Sequence, residues 1–440
     1  MRGADRIGRL VNLNPGECAR AWPFFALYLV LFAAFAVADG ATLALFVARV
    51  GAEALPVAYA GVAAVNLLFI GGYVRFAERL GGARMFAFIL GPVAALFATA
   101  WVALRWIDGA EGWYAVLFVA REVALTLLLM HFGTYLQGHF TRDELSRVLP
   151  VAYAGGRVGG ILGGVLLAQL SAPLGPVDLL PGVVALLALA IAMVAFIARR
   201  VGPPQRNNED TVESLPAERA ACGSIAGFLR FARTDPVLFW GTASSFLFMV
   251  ARWFLNYQYS HYFAERFPDP SELAAFVGRY TQWALAGALL IQLFALNRIV
   301  AGAGVGGAYL GLAILVGSAA LASAVPMTLG LAIYCRLVET ELRYGVRNPL
   351  MQLVTNAFSK PLRIRVRAWT MGLLTPAGTL AASGALAGLS RVGASMIGVV
   401  GLGVAAAHLL AAAGLWRALR RERPPVPSGR AMLGVDAPRP

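Results

Sequence analysis

The fold of this chain is decided by residues 22–47, which read WPFFALYLVLFAAFAVADGATLALFV. This stretch contains one charge, Asp39, and is longer than the roughly 20 apolar residues with which a helix crosses a bilayer. It is too long for the apolar region of a cleaved signal peptide, so it predicts a retained membrane helix. Similar runs follow, and they predict an all-α, polytopic membrane protein with 12 transmembrane helices. The predicted spans are 22–47, 55–74, 85–105, 112–136, 148–170, 178–198, 236–262, 273–296, 305–325, 327–346, 368–390 and 393–416.

The composition agrees with a membrane protein. Hydrophobic residues make up 59% of the chain and charged residues 14%, whereas about 25% of the residues in soluble domains are charged. This balance excludes a secreted, fibrous or disordered chain. The three cysteines form neither a paired framework nor a metal-ligand spacing, so no disulfide, metal or cofactor is predicted. No nucleophile or nucleotide-cradling motif is present either, so the chain is not predicted to be an enzyme.

The basic residues give the predicted orientation. The net charge is +14, and a cytoplasmic N-terminus places 26 of the 37 lysines and arginines in inside segments and four in outside segments. This bias is the positive-inside pattern of an inner (plasma) membrane protein with both termini cytoplasmic. It accounts for the basic charge without a nucleic-acid partner. The predicted partners are the lipid bilayer and a small-molecule solute, and the basic C-terminal cluster suits contact with anionic lipid.

The longest polar stretch, residues 199–235, divides the spans into two sets of six, and the two sets have weakly similar sequences. Residues 46–49 (FVAR) follow the first span, and residues 263–266 (FAER) follow the seventh. Two six-helix halves in parallel repeat resemble the arrangement of major facilitator transporters. The predicted domains are an N-terminal half at 1–198, a cytoplasmic linker at 199–235, a C-terminal half at 236–416, and a basic, proline-rich cytoplasmic tail at 417–440.

Charges inside spans cost on the order of 3 kcal/mol each, and here most of them lie in spans one, four, seven and ten. In the major facilitator arrangement those helices line the central cavity. Arginine outnumbers the acidic residues within the spans, which favours an anionic solute because the guanidinium fork matches carboxylate and phosphate. The residues predicted to bind substrate are Arg121, Arg252, Asn256, Gln258 and Arg336. The residues predicted to act in gating or proton coupling are Asp39, Glu122, Glu339, Arg343 and Arg157.

Local geometry predicts how some of these charges pair. Arg336, Glu339 and Arg343 are spaced i, i+3 and i+7, so they share one helix face and Glu339 is able to pair with either arginine. Arg121 and Glu122 point about 100° apart, so they are expected to serve different partners. The same residues also fit static ion pairs that hold helices together.

Two stretches predict helix packing and gating. The fifth span carries six glycines in overlapping G-x-x-x-G frames, which permit the close approach of another helix. A basic, glycine-flanked loop is predicted at 72–84, between the second and third spans. This loop resembles, in a loose form, the corresponding loop of major facilitator proteins, whose charges latch the inner gate. The resemblance implies an inner-gate role for Arg75, Arg79 and Arg84.

Further segments carry a family resemblance. They are residues 10–17 (LVNLNPGE), 46–56 (FVARVGAEALP), 336–339 (RLVE), 342–349 (LRYGVRNP) and 352–357 (QLVTNA). Together they resemble the bacterial relatives of the non-mitochondrial ATP/ADP translocase family. The resemblance implies the major facilitator fold and the exchange of nucleotides or related phosphorylated compounds by alternating access.

One departure from that family bears on the substrate. Members that move nucleotides carry Lys-Pro-x-Arg-Asp in the first span, whereas the matching stretch here is Asp39-Gly40-Ala41-Thr42-Leu43. A triphosphate requires several convergent cations, so this departure speaks against nucleotide exchange. The sequence therefore predicts a secondary active transporter for a small anionic or phosphorylated solute. The alternative is a membrane scaffold or partner-binding protein with the same fold that does not transport.

Overall fold

A computed structural model describes residues 14, 16–80, 82–201, 224–291, 295–356 and 358–422. All regular structure in these ranges is helical. Ten helices are long and apolar enough to cross a membrane, which confirms the prediction of an all-α, polytopic membrane protein. Most of the predicted linker (202–223), much of the predicted tail (423–440) and most of the resembling segment 10–17 lie outside the described residues.

The described residues up to Val201 form six long helices, and side-chain hydrogen bonds mark the starts of two of them. The first turn of α1 contains Glu17, whose carboxylate accepts hydrogen bonds from the backbone and side-chain nitrogens of Asn14. A capping box formed by Thr141 and Glu144 begins α5. The six helices are α1 (Glu17–Arg49), α2 (Leu55–Leu80), α3 (Gly82–Trp106), α4 (Gly112–Gln137), α5 (Arg142–Leu174) and α6 (Leu180–Arg200).

The described residues from Ser224 onward form nine α-helices, the first of which lies within the predicted linker, and some of them join without a loop. Two π-helical turns, Leu337–Glu341 and Arg343–Arg347, connect α11 to α12, and a third, Ala368–Leu374, connects α13 to α14. The nine helices are α7 (Ile225–Thr234), α8 (Pro236–Arg266), α9 (Pro270–Leu290), α10 (Leu296–Ser323), α11 (Leu329–Arg336), α12 (Asn348–Asn356), α13 (Lys360–Arg367), α14 (Thr375–Leu389) and α15 (Ala394–Glu422).

Two predicted spans are absent from the ten long apolar helices, although both are helical. The eighth span corresponds to α9, which carries Glu272 and Arg279. The tenth span corresponds to the run from α11 to α12, where charged residues and π turns interrupt the apolar sequence. Charged residues lower the apolar character of a span, and they persist where they have a partner or a function.

Some predicted boundaries are wrong. The loop predicted at 72–84 is mostly helix, because α2 continues to Leu80 and α3 begins at Gly82. The eighth span was predicted to end at 296; α9 ends at Leu290 and α10 begins at Leu296, but residues 292–294 between them lie outside the described residues, so this end stays a prediction. Within α10, Gly304 has a φ of +70° and separates residues 296–303 from the rest of the helix.

The chain divides into two compact units. Unit 1 comprises Met1–Asp210 and Phe263–Ala286, and unit 2 comprises Thr211–Tyr262 and Gly287–Pro440. Unit 1 therefore contains α1 to α6 and most of α9. The division into two six-helix halves stays a prediction.

Glycine determines how α5 packs within unit 1. A Cβ atom added to Gly159 would overlap the backbone carbonyl of Leu29 on α1, and Gly155 and Gly163 meet the same helix in the same way. On the other side of α5, a Cβ on Gly164 would lie 2.9 Å from the backbone carbonyl oxygen of Gly278 on α9. The close approach predicted from the G-x-x-x-G frames is confirmed on both faces of α5.

Candidate functional site

Each unit contains a cluster of charged side chains that the protein largely buries. In unit 1, Arg121 of α4 forms an ion pair with Asp39 of α1, and its Nη1 atom lies 3.3 Å from Oε1 of Glu122. The side chain of Arg121 is 5% exposed, whereas that of Asp39 is 32% exposed. The guanidinium carbon also lies 4.9 Å from the centre of the Phe118 ring. The three charged side chains together carry a net charge of −1.

Aromatic packing brings the two helices of this cluster together. The ring centres of Phe46 on α1 and Phe118 on α4 lie 4.7 Å apart. Phe46 lies two turns from Asp39 and Phe118 lies one turn from Arg121, so their contact brings the two charges to within about one helical turn along the axis, a distance that the long arginine side chain spans. The long Arg121 side chain reaches the neighbouring carboxylate of Glu122 as well as Asp39, and the expectation that Arg121 and Glu122 serve different partners stays a prediction.

The cluster in unit 2 centres on Glu339, which is 2% exposed. Its carboxylate forms an ion pair with Arg252 of α8. It also accepts hydrogen bonds from the Tyr259 hydroxyl at 2.9 Å and from the Thr340 hydroxyl at 2.6 Å. Asn256 donates to the oxygen of the Tyr259 hydroxyl at 2.5 Å. Arg252, Tyr259 and Thr340 therefore all donate to the Glu339 carboxylate. The side-chain amide of Asn256 donates in turn to the Tyr259 hydroxyl.

Three further arginines lie in the same unit with aromatic partners. The guanidinium of Arg336 lies 5.7 Å from the centre of the Tyr259 ring. Arg343 lies 4.2 Å from the Tyr344 ring and donates to its hydroxyl. Arg347 lies 4.2 Å from the ring of Phe248 on α8. All three arginines are buried, and aromatic faces stabilise buried cations without neutralising them.

Glu339 forms an ion pair that the sequence did not predict. The partner is Arg252 of α8, whereas the spacing pointed to Arg336 and Arg343 on the same helix. Arg343 also acts electrostatically on the Glu339 carboxylate. The π turns at 337–341 and 343–347 change the angular spacing of the residues in this run, and a pairing of Glu339 with Arg336 stays a prediction.

The remaining predicted site residues have varied surroundings. Gln258 donates to the hydroxyl of Ser323 on α10 at 3.1 Å, so it links two helices. Arg157 is partly buried on α5. Arg84 is exposed in the first turn of α3, while Arg75 and Arg79 lie on α2 and their side chains are outside the described set. Among the residues that the structure describes, no group of three or more His, Cys, Asp and Glu side chains is placed to hold a metal ion.

Sequence reasoning did not assign Tyr259, Thr340 or Arg347 to the site. Tyr259 follows Arg252 by seven residues, which places both on one face of α8, and this spacing was the available signal. Thr340 contacts Glu339 only through the local geometry of the π turn. Arg347 lies beyond the predicted tenth span, so the span boundary excluded it.

The sequence matches no family model and no curated protein, but the fold is similar to those of solved transporters. The nucleoside transporter NupG, in a mutant form, is 11% identical with a TM-score of 0.65, and the match covers 90% of this chain and 99% of that chain. A bacterial homologue of the iron transporter ferroportin, in an inward-facing state, is 15% identical with a TM-score of 0.62, and the match covers 92% of this chain and 99% of that chain. The human organic anion transporter MFSD10 is 16% identical with a TM-score of 0.59, and the match covers 91% of this chain and 100% of that chain.

These structures are transporters of the major facilitator type, and the matches span nearly the full length of both chains. The likeness therefore involves the whole helical arrangement and not a subset of helices. At these identities it describes the fold and leaves the solute open. The chain therefore has the fold of the major facilitator transporters.

Proposed function

We propose that this protein is a secondary active transporter for a small anionic solute and that it works by alternating access. The observation that carries the proposal is the excess of buried arginine in unit 2. The buried acidic residues of the described part of this unit are Glu339 and Glu341. The buried arginines are Arg252, Arg336, Arg343 and Arg347.

A buried excess of positive charge favours an anion. A charge buried without a counter-charge is strongly unfavourable, and removing one partner of a buried pair costs about 3–5 kcal/mol. Arg347 has an aromatic partner and no ion pair with a carboxylate of the described residues. Arg343 acts electrostatically on Glu339, but that carboxylate already forms an ion pair with Arg252. A solute carboxylate or phosphate supplies that charge, and arginine binds both in a bidentate manner.

The charge balance also limits the solute class. Two excess cations suit an anion with one or two negative charges. A nucleoside triphosphate carries more charge than that, and the cationic first-span motif of the nucleotide exchangers is missing at 39–43. The resemblance to the ATP/ADP translocase family supports a phosphorylated solute, so a phosphate monoester or a carboxylate is the proposed substrate class.

The cluster in unit 1 is proposed for a different role. Asp39 and Glu122 exceed Arg121 by one charge, so this cluster does not favour an anion. A carboxylate pair that shares one arginine suits proton coupling or gating, because protonation of one acid leaves a neutral pair. Arg157 and the α2–α3 arginines (Arg75, Arg79 and Arg84) are proposed for gating.

Uptake into proteoliposomes tests the proposal. The panel contains phosphate monoesters, carboxylates and nucleotides, together with the nucleosides, peptides and organic anions that related folds carry. Arg343→Gln and Arg347→Gln should each lower uptake of the active solute by tenfold or more. Arg391→Gln is the matched control, because Arg391 is exposed between α14 and α15, and it should leave uptake within twofold.

Two results would contradict the proposal. The first is uptake of a neutral or cationic solute that is unchanged in both arginine variants. The second is a folded protein that takes up no member of the panel and gains no thermal stability from any of them, since a ligand of the folded state must raise its midpoint. The second result favours the scaffold alternative.

A further inference from the structure

One end of unit 2 carries a short helix outside the spans and the ends of two long helices. The first is α7, which precedes α8. Phe228 and Ala232 on α7 are buried, whereas Arg230 and Arg233 are exposed. The buried positions are four residues apart and the exposed ones three, so α7 has one apolar face and one basic face.

The second segment is the start of α10, residues 296–303. Gly304 adopts a φ of +70°, which breaks the helix at this point. Val300 packs against the core of unit 2, while Arg298 is exposed and Ile299 is 47% exposed. Like α7, this segment packs an apolar side chain against the core and exposes a basic one. In addition it exposes the apolar side chain of Ile299.

The third segment is the C-terminal end of α15. Leu415 and Ala418 are buried, whereas Arg417, Arg420 and Arg421 are exposed. The guanidinium of Arg420 lies 4.3 Å from the centre of the Trp416 ring.

These three segments lie at the same end of unit 2 because they share one hydrophobic core. That core joins residues of α7, α8, α10, α12, α13 and α15. A hydrogen bond ties two of its outer helices, since Nη1 of Arg365 on α13 donates to the backbone carbonyl of Ser224 at 3.0 Å. Ser224 is the N-cap of α7, so the start of that helix is fixed to α13.

The surface that results is strongly basic. We name it the basic collar and define it by Arg230, Arg233, Arg298, Arg417, Arg420 and Arg421, all of which are exposed. The acidic residues of the three segments and of the start of α8 are Asp235 and Glu422. Asp235 accepts a hydrogen bond from the backbone nitrogen of Leu238 at 2.7 Å, so it caps α8.

Apolar and aromatic side chains border the collar. Phe239 is 43% exposed and Ile299 is 47% exposed. Trp240 and Trp369 are partly buried against the same core, and Trp416 is partly buried on α15. Tryptophan is enriched where a membrane protein passes from hydrocarbon to head groups, so these residues indicate the level of the bilayer interface.

We infer that the basic collar binds the anionic head groups of membrane phospholipids. Amphipathic helices with arginine on the polar face lie in the plane of the interface with the apolar face buried. Each arginine near an anionic leaflet adds to the attraction, and the guanidinium fork matches a phosphodiester. This inference concerns a lipid site outside the spans, so it stands or falls independently of the proposed solute.

Native mass spectrometry of the full-length protein tests the inference. The protein in detergent receives equimolar phosphatidylglycerol and phosphatidylcholine with identical acyl chains, and the ratio of the two bound species is measured. The wild type should prefer phosphatidylglycerol. Arg230→Gln with Arg233→Gln should lower that preference by about fivefold for each arginine removed, and added salt should lower it in the wild type.

The matched control is Arg105→Gln with Arg391→Gln, two exposed arginines outside the collar. This control should keep the wild-type ratio, and both variants should keep the wild-type melting midpoint in phosphatidylcholine, because the changed side chains are exposed.

Each of several outcomes would overturn the inference. One is equal binding of the two lipids by the wild type, and another is an equal loss in the control. Displacement of phosphatidylglycerol by millimolar inorganic phosphate would assign the collar to a free anion. Preferential binding of a soluble polyglutamate would assign it to an acidic protein partner.

Discussion

Replacing Glu339 by glutamine should destabilise unit 2 more than most single substitutions. The carboxylate receives three donors, from Arg252, Tyr259 and Thr340. Glutamine keeps one oxygen and replaces the other with an NH2 group, so at least one of these donors meets another donor. Arg252 is 6% exposed and would lose the countercharge of its ion pair.

The size of the effect follows from burial. Breaking a buried ion pair by removing one partner costs about 3–5 kcal/mol. For a unit of roughly 200 residues, 1 kcal/mol lowers the melting midpoint by about 2–4 °C. Glu339→Gln should therefore lower the midpoint of the purified protein in detergent by about 6–20 °C. Intrinsic fluorescence during heating, in a buffer without candidate anions, measures it.

A second substitution separates the ion pair from general packing. The double variant Glu339→Gln with Arg252→Gln removes both charges and should recover more than half of the loss, because no countercharge is then missing. Glu272→Gln is the control, since Glu272 is exposed on α9, and it should shift the midpoint by less than about 2 °C. The reasoning fails if Glu339→Gln melts within 2 °C of the wild type, or if the double variant melts no higher than the single.

Three further predictions test helix packing and the assignment of Gln258 to the binding site. Arg147→Gln removes the ion pair between Arg147 of α5 and Glu17 of α1, whose atoms lie 2.5 Å apart. Because the Arg147 side chain is 27% exposed, the melting midpoint should fall by only about 2–4 °C. An unchanged midpoint would mean that the pair contributes nothing to stability. Gly159→Ala should lower the midpoint by more than about 4 °C because the added methyl group overlaps the Leu29 carbonyl, whereas Gly311→Ala, with nothing within 4 Å of the added Cβ, should be neutral or stabilising. Gln258→Ala should cost about 1 kcal/mol through the lost bond to Ser323 and leave solute affinity unchanged in a thermal-shift titration; a tenfold loss of affinity would restore Gln258 to the binding site.

Features that depend on short stretches of sequence were predictable. The apolar run 22–47 lies within α1, Glu17–Arg49, because length and apolarity alone decide whether a segment spans a bilayer. The close packing of α5 was predictable for the same reason, since a helix without Cβ atoms on one face admits a neighbour at backbone distance. The prediction of a loop at 72–84 failed because charged residues such as Arg75 were read as an end of the helix, whereas the helix ends near the glycines.

The pairing of charges was not predictable from the sequence. Arg252 and Glu339 are 87 positions apart, and no local pattern links them. Their contact depends on α8 packing against the run from α11 to α12, and on π turns that have no clear sequence signature. Asp39 and Arg121 meet because Phe46 packs on Phe118, which is also a tertiary contact.

The proposed preference for an anion shows why a charge count needs the structure. Counted over all predicted spans, arginine exceeds the acidic residues, but that count includes Arg279, which is exposed. Within unit 1, the cluster around Arg121 is net negative, and the excess of buried arginine lies in unit 2. The cost of an unpaired charge depends on its own surroundings and not on the total for the chain. The whole-chain count favours Arg121 as an anion ligand as much as it favours Arg343, whereas the balance within each unit favours Arg343 and Arg347.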